Sequence, residues 1–364
     1  MRRCLIAAAA CLIAQAAAAQ NFTTDSDTSQ VRAVPVAQPS PPYPGGVDRS
    51  GAEGWVRLHF VVSGDGRAVD PIVVDSFGGP AFEQSALETL AEWRFEPPAD
   101  GDEIGNNVVD MRFEIRVGRN LATSNFMRRY RRIVTHLHNE ETAAAREQAD
   151  QTAQLGGWNL YEATMLNLML GRVEAQEGDL NGKLEYYRRA LGVGDRAALR
   201  GEDRRDVIKR IFEAEFATGQ YGSALATAKM LSAQPNSEAD MATLAENLAT
   251  IEAALAGSDD LVVSGALANA CDCDAGEPLW HYRPARSSFQ VRNTVGELTR
   301  YEARCNAQRS GGPVEAGQTV PLPADGAHCR VFLFGTAGTT FELVEPGEPR
   351  PDEETSARRA VAVR

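Results

Sequence analysis

The residues here able to do chemistry beyond packing are a set of cysteines, a few scattered histidines and one run of arginines, and their spacing limits what that chemistry can be. Cys271, Cys273, Cys305 and Cys329 fall in the last third of the chain, whereas Cys4 and Cys11 sit in an apolar N-terminal run. An even set confined to one region of an exported chain reads as disulfides, because thiols oxidise outside the cytosol. Cys271 and Cys273 are only two apart, and a bond between them would strain the bridge. The spacing therefore predicts two bridges joining Cys271 and Cys273 to Cys305 and Cys329, with the pairing open. Zinc held by these four, or by some of them with His281 or His328, is the alternative. C-x-C is not the usual finger spacing, so neither a metal nor another cofactor is expected. His136 and His138 point apart on a helix and cannot share one ion. Arg128, Arg129, Arg131 and Arg132 spread round a helix as a solvated face near Glu140 and Glu141.

The sequence holds no G-x-S-x-G, no H-E-x-x-H and no phosphate-cradling glycine loop. Without an activated nucleophile or a nucleotide site, the chain is not expected to be an enzyme, and no small-molecule substrate is legible. A net charge of −13 at pH 7 repels phosphate backbones and argues against nucleic acid as a partner.

The elements that must position any site fall into segments. Arg2 and Arg3 precede the apolar run, and Ala17-x-Ala19 stands before Gln20, which is the order of a cleaved signal peptide over residues 1–19. Export to the periplasm follows. Residues 20–40, rich in Thr, Ser, Asp, Gln and Pro, are too polar to bury much surface and read as a disordered linker.

Residues 41–118 read as one α+β unit. Val56, Leu58, Phe60 and Val62 alternate with Trp55, Arg57, His59 and Val61 as in a half-buried strand. Gly64-Asp65-Gly66 turns the chain, and a second strand runs over 68–75 with Pro71 at a bulge or an edge. Phe82, Ala86, Leu87 and Leu90 recur at helical spacing over 80–91, with Trp93 and Phe95 as core residues. A last strand over 108–117 alternates, with Val109, Met111, Phe113, Ile115 and Val117 inward and Asp110, Arg112, Glu114 and Arg116 outward.

The order Tyr43-Pro44, Gly54-x-Val56-x-x-x-Phe60-x-Val62, Gly64-Asp65-Gly66-Arg67, Phe82 and Ala86, then Trp93-Arg94-Phe95-x-Pro97 and a closing alternating strand, resembles the C-terminal domain of the TonB family. The resemblance implies a sheet with one helix packed against it. It also implies that the last strand takes up an extended peptide, the TonB box of an outer-membrane transporter, by strand addition. Carried onto this chain, the partner-binding residues are Tyr43 and Pro44 at the start of the domain and Val108, Val109, Asp110, Arg112, Glu114 and Arg116 on the edge. The implied function is that of a periplasmic protein-binding adaptor. The alternative is a membrane-anchored TonB-type energy transducer on the periplasmic side of the inner membrane, for transport across the outer membrane.

Residues 122–256 are rich in helix formers punctuated by glycine. Leu170-Gly171, Gly178-Asp179, Tyr187 and Ala190, and again Gly219-Gln220-Tyr221, Ala224 and Ala228, sit at tetratricopeptide-like positions. Residues 260–345 return to short alternating runs divided by Gly and Pro, as in a small β-sandwich stapled by disulfides, with Cys305 and Cys329 at inward parity. Residues 346–364 read as a disordered tail. The expected fold class is multidomain: an α+β module, an all-α middle and an all-β C-terminal domain.

Overall fold

The computed structural model describes residues 33–45, 52–98, 101–115, 122–194, 198–235, 237–268, 277–306, 308–323 and 328–347. The expected signal peptide, most of the linker, Arg116, Cys271, Cys273 and the tail beyond 347 lie outside the described residues.

In the first unit, β2 (Gly54–Val62) lies between β3 (Ala68–Phe77) and β5 (Ile104–Phe113) in an antiparallel sheet of order β3-β2-β5. The turn from β2 to β3 needs glycine at Gly66, where φ is 78° and a Cβ would collide with the Phe95 carbonyl oxygen. Pro71 lies on the outer strand β3, beside a register shift, where its missing N–H costs no ladder bond. Helix α1 (Pro80–Glu92) starts with Pro at its first position and lays Phe82, Ala86 and Leu90 on the sheet. They close a core with Val56, Leu58, Phe60, Val109, Met111 and Phe113. Each large side chain buried there contributes about 2–3 kcal/mol.

Two details depart from the sequence expectation. First, β1 (Pro35–Ala37), inside the segment read as linker, pairs antiparallel with β4 (Arg94–Phe95). All three of its residues are exposed, so backbone pairing holds it and composition could not reveal it. Second, the last strand of the unit is Ile104–Phe113, shifted four residues back from the expected 108–117, and Ile115 is 44% exposed beyond its end. A register shift between Phe60 and Val62 admits Gly105-Asn106, and these two with Asn107 carry no strand signal of their own.

Seven further helices follow, making eight among the described residues: α2 (Ser124–His138), α3 (Thr142–Leu155), α4 (Leu160–Glu177), α5 (Leu180–Val193), α6 (Gly201–Ala217), α7 (Tyr221–Ser232) and α8 (Glu238–Ala256). Successive helices pack on one another. Asn159 and Glu162 form a capping box at the start of α4. Gly178 closes α4 in the left-handed conformation at φ 82°, and Asp179 caps α5. Gly171 lets the Tyr187 ring approach α4, since a Cβ would stand 2.9 Å from it. None of the described helices is long and apolar enough to cross a membrane.

The last unit has two four-stranded sheets. Its strands are β6 (Leu261–Ala266), β7 (Leu279–Tyr282), β8 (Ser288–Val295), β9 (Leu298–Arg304), β10 (Arg309–Pro313), β11 (Val320–Pro321), β12 (Arg330–Gly335) and β13 (Thr340–Glu345). The orders are β10-β9-β12-β7 and β11-β8-β13-β6, around a core that includes Phe289, Val291, Val331, Leu333 and Leu343. Cys305 and Cys329 are bonded to each other, which corrects the expectation that each would reach Cys271 or Cys273. The reason is register. Arg304 faces Arg330 across the β9–β12 ladder, so the adjoining cysteines meet directly, with their Cα atoms 4.0 Å apart.

Candidate functional site

Two features of the first sheet bear on what it can bind: the outer side of β5 and the face turned away from α1. Strand alternation aims Val109, Met111 and Phe113 at α1, where all three are buried. Asp110 and Arg112 take the opposite face, as the sequence predicts, yet neither is a solubilising charge there. Asp110 is 5% exposed and accepts two bonds from Arg57, at 2.7 and 2.9 Å. Arg112 donates to the carbonyl oxygens of Gly192 and Val193 at the end of α5.

The physical reason is that the other two units cover this face. Trp55, at an outward position, is 0% exposed and packs with Leu160, Ala163 and Val193. Ile72 and Val74 of β3 pack on Leu279, Phe332 and Phe334 of the β unit. Asp75 accepts from Arg189 of α5 at 2.9 Å. Trp55 and Val61 on the supposedly wet face of β2 are the one sequence signal that could have announced this cover; charges at Asp110 and Arg112 pointed the other way.

His59 links the sheet to the β unit. Arg304 can only donate, so His59 Nδ1 accepts from its Nη1 at 3.2 Å, and His59 Nε2–H donates to Asn106 Oδ1 at 2.9 Å. Asn106 Nδ2 in turn donates to the His328 carbonyl at 3.0 Å. Burial, with the guanidiniums of Arg304 and Arg330 nearby, holds the His59 imidazole well below 6.5 and therefore neutral. Arg304 and His328 adjoin the two bonded cysteines, so the disulfide fixes both ends of this chain of bonds.

The edge itself is partly taken. Gly105 N–H donates to the Asn306 carbonyl at 2.9 Å. Beyond that point, among the described residues, β5 pairs with β2 and with no other strand. Tyr43 packs edge-on to Phe82 and Phe113 at 5.6 and 6.4 Å, so it closes the core beside the end of β5. Pro44 and Val108 are partly buried, and Glu114 follows the last strand residue. The structure thus gathers Tyr43 and β5 at one end of the sheet. No group of three or more His, Cys, Asp or Glu side chains among the described residues is placed to hold a metal.

Residues 39–115 match the family described as Gram-negative bacterial TonB protein C-terminal. Over 80 residues the chain is 35% identical to Protein TonB of Pseudomonas aeruginosa, covering 22% of each protein. Over 101 residues it is 30% identical to Protein TonB of Vibrio cholerae serotype O1, covering 27% of this chain and 41% of that one. The chain thus spans well under half the length of these relatives. The solution structure of the Pseudomonas aeruginosa TonB C-terminal domain is 27% identical, with 25% of this chain and 93% of that one covered and a TM-score of 0.21.

Proposed function

We propose that the TonB C-terminal domain formed by residues 39–115 takes up an extended segment of another envelope protein along the outer edge of β5, over residues 108–113. The observation that carries this reading is the match of residues 39–115 to the TonB C-terminal family, whose last strand corresponds to β5, an outer strand of the described sheet. An outer strand presents a row of amide and carbonyl groups, and an incoming chain gains main-chain hydrogen bonds by pairing with them. The partner the family suggests is a TonB-box segment of an outer-membrane transporter. In this reading the chain is a periplasmic adaptor, its helices a tetratricopeptide-like scaffold that, with the β unit, braces the sheet from behind.

Hydrogen exchange of the full chain, with and without a synthetic TonB-box peptide, tests the proposal. The peptide should slow amides within 108–113, and N-methylation of alternate peptide amides should abolish the slowing. Binding that leaves these amides unchanged, or no binding, refutes it. The bond from Gly105 N–H to Asn306 favours a second reading, in which the edge serves to dock the chain's own β unit. In that case exchange over 105–113 is already slow in the free chain and does not respond to peptide.

A further inference from the structure

A cavity of about 1260 Å³ lies where the three units meet. Its wall includes the covered face of the first sheet at Arg57 and Asp75, helix α5 at Arg188 and Arg189, and the β unit at Trp280 and Arg330. Three of these guanidiniums are matched by a carboxylate. Arg57 binds Asp110, Arg189 binds Asp75, and Arg188 binds Glu215 at 2.8 Å.

Arg330 is not matched in this way. Its Nη1 lies 3.1 Å from His281 Nδ1, and its Nε is buried with no hydrogen-bond partner. Burial and the guanidinium of Arg330 hold the His281 imidazole well below 6.5, so this neighbour is neutral and brings no compensating charge. Burial, then Arg188 and Arg57, bring Arg330 itself down to about 10, against the pull of the Glu215 carboxylate. Burial and Arg330 likewise bring Arg283, on the same wall, down to about 9. Both remain cations at neutral pH. Arg330 is half-buried, and the carboxylate that attracts it, Glu215, is already bonded to Arg188, so among the described residues no carboxylate forms an ion pair with Arg330 itself. Elsewhere the wall is aromatic: Trp280, which strand alternation turns to the opposite face of β7 from His281, stacks on Tyr282 at 5.5 Å and meets Phe341 edge-on at 5.2 Å.

We propose that this cavity is a binding site for an organic oxyanion, a carboxylate or a phosphate ester, seated on the Arg330 guanidinium with its apolar body toward Leu279, which lines the same cavity. A planar guanidinium with an unused N–H suits either oxyanion, and a concave wall that mixes apolar groups with convergent charged ones can hold an anion with an apolar body. The cavity touches β5 at Val108, but its seat at Arg330 lies on the β unit, so either proposal stands if the other fails.

The test is titration of the full chain with phenyl phosphate and with benzoate, read by melting temperature and by calorimetry, against sodium chloride at equal ionic strength. At least one of the two should bind saturably and raise the melting temperature; which one does so separates phosphate from carboxylate. Arg330→Gln should weaken that binding at least tenfold while melting no lower than the parent, since it removes an unmatched cation. Arg330→Lys, which keeps the charge but loses the planar fork, should weaken binding less than Arg330→Gln does. No binding of either compound beyond the salt control, or binding that survives both substitutions, overturns the proposal.

Discussion

Replacing Asp110 by alanine separates a solvated edge charge from a buried anchor. A solvated carboxylate on an outer strand can be removed at a cost within about 0.5 kcal/mol. In the structure the Asp110 side chain is 3% exposed and receives both Nε and Nη2 of Arg57, whose own side chain is 28% exposed. Breaking a fully buried ion pair by deleting one partner costs about 3–5 kcal/mol. Arg57 keeps some contact with water and the attraction of Asp75, which recovers part of that loss. We therefore expect Asp110→Ala to cost about 2–3 kcal/mol, and Asp110→Asn, which keeps the shape and one acceptor, to cost less. Because a chain of several units need not unfold in one step, the assay is native-state hydrogen exchange over 54–62 and 104–113 alongside urea denaturation. A double-mutant cycle with Arg57→Met should return a coupling above about 1 kcal/mol. A loss for Asp110→Ala within about 0.5 kcal/mol, or strict additivity in the cycle, would show that the covered face is not held as described.

Two further outcomes follow from the same junction. His59 is neutral in the fold, whereas an unfolded histidine takes up a proton below about pH 6.5; its contribution is thus complete above that pH and is lost as the pH falls, at up to about 1.4 kcal/mol per unit. Melting between pH 7.5 and 5.5 should show a smaller acid-side loss for His59→Gln than for the parent, and equal slopes would contradict the burial of this ring. Gly105→Ala should loosen the β unit from the sheet by about 1–3 kcal/mol, since the added Cβ would collide with the Cys305 carbonyl; unaltered exchange at residues 304–306 would count against that contact.

The α+β unit was legible because each of its elements has a local cause. Alternation from Val56 to Val62 makes the strand, the stripe of Phe82, Ala86 and Leu90 makes the helix, and Gly66 makes the turn. What escaped the sequence is set by partners far along the chain. The pairing of Cys305 with Cys329 follows from the β9–β12 register, which parity alone hints at but cannot fix. The burial of Asp110 depends on a carboxylate finding Arg57 across the ladder while α5 covers the pair. A charge at alternating parity looks the same in sequence whether water or another domain lies beyond it. Pro35–Ala37 escaped for the opposite reason: only its backbone is used.

The covered face changes what recognition at the edge can mean. With Gly105 already bonded to Asn306, the stretch of β5 left for an incoming strand in the proposed mode is about six residues, or roughly 20 Å of extended chain. Along that run Val109, Met111 and Phe113 are committed to the α1 core, while Asp110 is committed to Arg57 and Arg112 to the end of α5. Few side chains of β5 are left to read the sequence of an incoming strand. Affinity must then come from main-chain pairing, and selectivity from the walls on either side, α1 and Tyr43 on one flank and the helical unit on the other. Alanine substitutions along β5 would consequently report on stability rather than on recognition. Changes to the backbone hydrogen-bonding capacity of the peptide are the perturbation that isolates binding.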